Sequence, residues 1–397
     1  MTTFAFFPSP LIGHVNPTIG IARELVARGH SVTFHLPEDY RTQVGTVGAG
    51  LAPYGLETPD HLCGFTDPVT RFAMVPLWLT AECVNVLPHV LDRLAVSRPD
   101  VIVYDMLCVW GRLAAMLGDR PAAMVLASYV SNEHYSPTRT SHYEAMAGHL
   151  SAAFDSYAAN VTRLSGTYGL SLRPRDLFAR DERVVIVVMP RAFHPYGDTF
   201  DNRFVFIGAS PRPAEQVAGT VLDRLEPVRQ TLLVSFGTLC SISTEFVKAC
   251  YEAFDDPAWQ VLMVTGGEDV PAHAPRSFVV ADWVPQLEVL RRADAFITHG
   301  GTNSVVEALS FGVPMVVLPS TPEHAITADR VAELRLGIQL DPHSITAGEL
   351  RAAVDSVAAA PDVREALARM RVAVNTAGGP PAAAAALERL VPAASVG

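Results

Sequence analysis

The spacing of apolar and polar residues cuts the chain into short apolar runs alternating with longer amphipathic stretches. Apolar runs at 4–7, 31–36, 100–104, 122–126 and 184–188 predict strands, and the stretches at 16–28 and 38–47 predict helices. Asn16 reads as the N-cap of the first helix with Pro17 in its first turn, and Gly29-His30 stops it. The run Asp100-Val101-Ile102-Val103-Tyr104 has no polar face, which predicts a strand buried on both sides and ended by Asp105. Such strands separated by helices build a parallel sheet, an α/β architecture. The rhythm lapses from about residue 203, and the proline-rich stretch 206–226 reads as a linker. It resumes with strands at 231–235, 260–264, 278–281, 295–298 and 315–318 and a helix at 243–254. A break at Gly378-Gly379-Pro380-Pro381 precedes a last helix whose Leu387, Leu390 and Val391 form an apolar stripe. The pattern therefore predicts domains at 1–205 and 227–377, facing across a cleft, with a helix at 378–397 docked across them.

Composition narrows the class. A chain of 397 residues fits two domains of about 150 to 200 residues. Its 49% hydrophobic and 18% charged content supplies two ordinary cores. Thirty basic against 41 acidic residues give a net charge of -11, which argues against a nucleic-acid partner and against stable membrane association. Any phosphate must then be held locally. Cys63, Cys83, Cys108, Cys240 and Cys250 are odd in number and lack C-x-x-C spacing, so neither a disulfide framework nor a zinc site is indicated. With no signal-peptide pattern and no run of about 18 apolar residues, a cytoplasmic protein is expected.

The chemistry concentrates at strand ends. Between the strand at 295–298 and a helix from Ser304, His299-Gly300-Gly301-Thr302-Asn303 forms a strand-to-helix turn, which aims backbone N–H groups and a positive dipole end at one point, as an anion requires. Gly300 and Gly301 let a ligand approach the backbone. Ser304-Val305-Val306-Glu307 reads as a capping box, which would account for Glu307 without a ligand, and Trp283 reads equally as core. Ser235-Phe236-Gly237-Thr238 is a second small-residue turn whose hydroxyl suits a phosphate. In the first half, His14 stands in the loop after the first strand, ahead of a helix N-terminus whose dipole disfavours imidazolium. Asp105 ends a strand expected beside the first, so its carboxylate can reach the far ring nitrogen of His14 and fix the tautomer. A histidine in such a place is also commonly a packed or capping side chain. The chain has no G-x-S-x-G elbow, no G-x-x-x-x-G-K-[ST] loop, no tight G-x-G-x-x-G and no metal-ligand spacing, so hydrolase nucleophile, ATP phosphotransfer, nicotinamide and metal chemistry find no support.

With G-H-V-N-P at 13–17, P-D-V-I-V-Y-D at 99–105, P-R-A-F-H-P-Y-G-D-T-F-D-N-R-F-V-F-I-G at 190–208 and the block from W-V-P-Q through P-E-H at 283–324, the chain resembles the family 1 glycosyltransferases of the GT-B fold, most closely the bacterial macrolide glycosyltransferase-like branch. The resemblance implies two Rossmann-like domains and an inverting, metal-independent transfer of a sugar from a nucleotide-diphosphate sugar, a UDP-sugar first, to a hydroxyl of a macrolide, polyketide or flavonoid. It makes His14 the general base with Asp105 as its partner. Trp283 would stack on the nucleobase with Gln286 beside it, and Glu307 would bind the ribose. His299, Gly301, Asn303 and Ser304 would hold the diphosphate with help from Thr238, while Glu323 and His324 would read the donor sugar. His324 departs from the usual pattern, which has glutamine there, so UDP-galactose and a thymidine-diphosphate deoxysugar stay open beside UDP-glucose. The acceptor would meet Phe65, Phe72, Met74, Leu77, Trp78, Tyr129, His134 and Tyr135, which read equally as core under long loops. No resident cofactor is implied, and the partners are the small-molecule donor and acceptor, on a monomer or homodimer. Three alternatives remain at this point. A sugar-nucleotide 2-epimerase would want carboxylates around the sugar, a lipid glycosyltransferase a basic or apolar surface patch, and a noncatalytic helper no His14–Asp105 pair.

Overall fold

The computed structural model describes residues 1–56, 68–137, 140–178, 181–211, 221–237, 242–267, 271 and 273–391, with backbone only at 68–73, 76 and 140–153. The chain forms two compact units. Residues 1–188, 198–213 and 377–397 make the first, and 189–197 with 214–376 the second.

The first unit is built on seven parallel strands in the order β3-β2-β1-β4-β5-β6-β7. They are β1 (Thr3–Phe7), β2 (Ser31–Phe34), β3 (Gly50–Leu51), β4 (Val101–Asp105), β5 (Ala122–Leu126), β6 (Val185–Val187) and β7 (Phe204–Phe206). The five expected strands appear; β3 and β7, of two and three residues, are too short to leave a pattern. Every residue of β4 and β5 is buried, as a strand covered by helices on both faces requires. Because β7 belongs to this sheet, the first unit runs on to Pro213, past the expected boundary at 205. The helices are α1 (Ile12–Ala27), α2 (Arg41–Gly45), α3 (Pro68–Ser97), α4 (Val109–Gly118) and α5 (Thr140–Tyr168). Helix α1 starts four residues earlier than expected. Leu11 occupies its N-cap position without a side-chain cap, and Pro17 lies inside it. An interior proline costs about 3 kcal/mol. Burial of Val15, Ile19, Ile21, Ala22 and Leu25 on the sheet offsets that cost.

The second unit has six parallel strands ordered β10-β9-β8-β11-β12-β13: β8 (Gln230–Ser235), β9 (Trp259–Val264), β10 (Phe278–Ala281), β11 (Ala295–Thr298), β12 (Met315–Val317) and β13 (Gly337–Gln339). Its helices are α6 (Thr244–Phe254), α7 (Gln286–Leu290), α8 (Thr302–Phe311), α9 (Pro322–Glu333), α10 (Ala347–Ala359) and α11 (Pro361–Thr376). The last helix, α12 (Gly379–Glu388), packs on α1 and β7 of the first unit, burying Ala383, Ala384, Ala386 and Leu387. Arg28 and His30 both reach the Glu388 carboxylate at 2.9 Å.

In each sheet the strand order reverses at one place, between β1 and β4 in the first and between β8 and β11 in the second. Doubly wound sheets open their ligand crevice at the carboxyl ends of the strands flanking that reversal. His14 lies after β1, Asp105 ends β4, and the turn from His299 to Ser304 follows β11, while Trp283 and Gln286 follow β10 and Glu323 and His324 follow β12. Among the described residues, no helix is long and apolar enough to cross a membrane, and no group of three or more His, Cys, Asp or Glu could hold a metal ion.

Candidate active site

In the first unit β1 and β4 pair in register, Phe7 opposite Tyr104, so the segments leaving the two strands meet at one edge of the sheet. Asp105 ends β4 and is 1% exposed. His14 is the third residue of α1, within its first turn and not ahead of the helix as expected. Its Nδ1 lies 2.8 Å from Asp105 Oδ2. The other carboxylate oxygen, Oδ1, accepts from Ser9 Oγ at 2.6 Å and from the Leu107 N–H at 2.9 Å. A buried carboxylate needs such donors, and here they also fix its orientation. With the proton on Nδ1 directed at Asp105, the lone pair of His14 resides on Nε2, the arrangement of a general base backed by an acid. Ser9, fully buried, was not anticipated; its only sequence mark is a place between Pro8 and Pro10 directly after β1.

In the second unit, α8 begins at Thr302 with Gly301 at its N-cap position, and no described side chain caps it. The expected capping box is therefore overturned. Ser304 lies inside the helix, and Glu307 Oε2 accepts instead from Gln286 Nε2 at 2.7 Å, with Ser304 Oγ 3.3 Å from the same nitrogen. An uncapped helix start preceded by two glycines is an anion-binding arrangement. Gly300 has φ +89°, where a side chain is strained, and a Cβ there would come within 2.8 Å of Val317 Cγ1. Trp283 is about half exposed, which rules out plain core and leaves an indole face available for stacking. His299 lies beneath the turn, 8% exposed, and burial pushes its pKa down to about 4 against a weaker opposing hydrogen bond that the ring donates to the Ser235 backbone. Its Nδ1 has no hydrogen-bond partner among the described residues. His324 meets it edge-on, with ring centroids 4.5 Å apart, and its own pKa is driven to about 2, first by burial and then by His299. Thr302 Oγ1 donates to Glu323 Oε1 at 3.1 Å, a link between turns that no spacing in the sequence marks. The structure thus brings together Gln286, Ser304 and Glu307, and separately His299, Thr302, Glu323 and His324.

Thr238 and Phe65 lie outside the described residues, as does the side chain of Phe72. Trp78 and Tyr129 are buried, the packing role the pattern also allowed, and His134 is exposed.

Residues 261–390 match the family model described as "Erythromycin biosynthesis protein CIII-like, C-terminal domain". The chain is 36% identical over 405 aligned residues to the demethyllactenocin mycarosyltransferase of Streptomyces fradiae, covering 98% of this chain and 87% of that protein. It belongs to the macrolide-type family 1 glycosyltransferases. The NDP-glycosyltransferase YjiC of Bacillus licheniformis is 34% identical to this glycosyltransferase over 99% of this chain and 98% of the relative. The crystal structure of CalG4, the calicheamicin glycosyltransferase, superposes with a TM-score of 0.83 at 31% identity, covering 100% and 99% of the two chains. The glycosyltransferase therefore has the GT-B fold, as its two doubly wound sheets indicate.

Proposed function

We propose that this glycosyltransferase moves a sugar from a nucleoside-diphosphate sugar, a UDP-sugar first, to a hydroxyl of a hydrophobic natural product of the macrolide or polyketide kind, with inversion at the anomeric carbon and no metal ion. The observation that carries the reading is the His14–Asp105 pair at the strand reversal of the first sheet. The acceptor oxygen attacks the anomeric carbon while its proton passes to His14 Nε2. The carbon–oxygen bond to the diphosphate breaks with both electrons on the departing phosphate oxygen. Asp105 steadies the imidazolium that forms, and Ser9 and Leu107 keep Asp105 in place. At the other substrate, the uncapped start of α8 supplies fixed N–H dipoles for the charge that develops on the diphosphate. Trp283 and the Gln286–Glu307 pair are the groups for the nucleobase and ribose. The donor class is supported by the relative named an NDP-glycosyltransferase, and the acceptor class by the family model named for erythromycin biosynthesis.

Replacing His14 by alanine is expected to lower kcat by roughly 10²- to 10⁴-fold. Calorimetry should show UDP affinity unchanged in the same variant. Asp105→Asn should lower kcat without unfolding the protein. Turnover at the wild-type rate in His14→Ala would remove the base assignment, and product NMR showing a retained anomeric configuration would remove the direct displacement.

A further inference from the structure

Among the described residues β10 is an edge strand of the second sheet, paired with β9 alone, and Trp283 stands just beyond its end. The last registered pair of that edge is Ala281 with Val264. Three hydrogen bonds carry the join further. The Thr265 N–H donates to the Ala281 carbonyl at 3.0 Å, the Gly266 N–H to the Asp282 carbonyl at 3.1 Å, and Thr265 Oγ1 to Asp282 Oδ1 at 2.9 Å. The first two are backbone bonds that almost any sequence could make. The third depends on these two side chains, and it holds the residue directly before Trp283. Thr265 is 5% exposed, so the fold fixes its hydroxyl, whereas Asp282 is exposed and has water as its alternative. Directly after Trp283, Val284 is buried. The half-exposed indole is therefore carried on a segment held on both flanks. An aromatic ring on a loose strand end would have to be ordered when a base stacked on it, at a cost in affinity, and one already held avoids that cost. The chain leaving Thr265 also turns towards the ligand edge. Gly266 and Gly267 take φ +66° and +88°, and a Cβ on Gly266 would lie 4.0 Å from the Gly237 carbonyl in the turn after β8.

We propose that Thr265 and Asp282 are positioning residues for the donor's nucleobase, acting through Trp283. Their side-chain bond holds the strand end so that the indole face is presented before the donor arrives. The inference rests on the reading that Trp283 stacks on the nucleobase, and it adds the pair of side chains that keeps the indole in place.

The test is calorimetric binding of UDP and of thymidine diphosphate to wild type, Thr265→Val, Thr265→Ser, Asp282→Ala and Trp283→Ala, and to Thr265→Val and Asp282→Ala each combined with Trp283→Ala. Valine keeps the shape of threonine without the donor, serine keeps the donor, and Asp282→Ala removes the acceptor at an exposed position where the packing is undisturbed. Loss of the indole is expected to weaken the tighter-bound diphosphate by roughly 5- to 100-fold. Thr265→Val and Asp282→Ala should each weaken it by about 3- to 10-fold, and Thr265→Ser should stay within about twofold of wild type. In the Trp283→Ala background either change should alter affinity by less than about twofold, because the group it positions is gone. A bond that serves the fold alone would weaken binding by the same factor with or without the indole. That result overturns the inference, as does wild-type affinity in both Thr265→Val and Asp282→Ala, and each leaves the stacking reading standing while Trp283→Ala binds weakly. Wild-type affinity in Trp283→Ala removes the stacking reading and the inference with it. Failure of the wild-type protein to bind either diphosphate removes the whole donor-site reading, and the inference again goes with it.

Discussion

Asp105 carries one of the heaviest polar demands in the first unit, because a carboxylate that is 1% exposed has no water to turn to. Three donors meet it, and Ser9 is the one whose removal leaves the chain otherwise intact. Ser9→Ala leaves Oδ1 with the Leu107 N–H alone. A hydrogen bond to a charged group contributes about 1.5 to 3 kcal/mol. At about 1.4 kcal/mol per tenfold in rate, kcat should fall by roughly tenfold or somewhat more if that bond holds the carboxylate in line with His14. Ser9→Thr, which keeps the hydroxyl, should recover most of the loss, and KM for the donor should not move in either variant. Steady-state kinetics in which Ser9→Ala equals wild type would show that His14 and Leu107 suffice. His14 and Asp105 were legible in the sequence because each closely follows or ends a clear apolar run. Ser9 was not, since its partner lies 96 positions away and is set by the register of β1 against β4.

At the scale of elements, the start of α8 shows how tertiary demands override a local signal. Ser304 and Glu307 have the spacing of a capping box, yet the helix begins two residues earlier and Glu307 turns to Gln286. The local pattern lost because Gln286, on the short helix α7, offers a donor from outside the segment. The strand-to-helix turn itself was readable, as were the strands around it, since buried parallel strands are unbroken apolar runs. Helix α1 was misplaced at its start for a related reason. Asn16-Pro17 has the look of a beginning, but the fully buried Val15 side chain is packed in the core and the Val15 N–H bonds the Leu11 carbonyl at 2.9 Å, which carries the helix back to Ile12. The glycine that opens α8 gives an element-scale prediction. Gly301 has φ -59°, which alanine adopts without strain, so only the missing methyl matters. In Gly301→Ala that methyl meets the His299 ring, and overpacking of this kind costs about 1 to 3 kcal/mol. Thermal melts should show the loss, and UDP affinity should fall with it, because the turn and the ring move together. A variant that melts lower yet binds UDP like wild type would separate the turn's packing from its ligand.

Across the whole molecule, both sheets share a plan whose strand order the sequence leaves open, since apolar runs reveal strands without saying which neighbours pair. The edge strands β3, β7 and β13, of two or three residues, carry too few positions to show a period. Each unit nevertheless hides an imidazole near its ligand edge. In the first, His35 directly succeeds β2, stacks on Phe7 at 4.3 Å and is pushed down to about 4 by burial, with Arg93 adding to the effect. In the second, His299 and His324 are lowered to about 4 and about 2. In the unfolded chain all three titrate near pH 6.5. Above that pH both states are neutral at these positions, and the histidines leave stability independent of pH. As pH falls from about 6.5 towards 4, the unfolded chain binds protons that the folded chain refuses, so stability drops. Each histidine contributes up to roughly 1.4 kcal/mol per pH unit in that window. Below about 4, His35 and His299 take up protons in the folded state too, and only His324 keeps its slope. Urea unfolding midpoints should therefore decline steeply between pH 6.5 and 4.5 and be nearly level from 6.5 to 8. His35→Phe, which keeps the stacked ring and removes one titrating group, should flatten the decline by about one proton while leaving the midpoint at pH 7.5 equal or higher, because a buried nitrogen without a partner among the described residues has been removed. An unchanged slope in that variant would mean that His35 is protonated within the fold, and that a buried acceptor faces it.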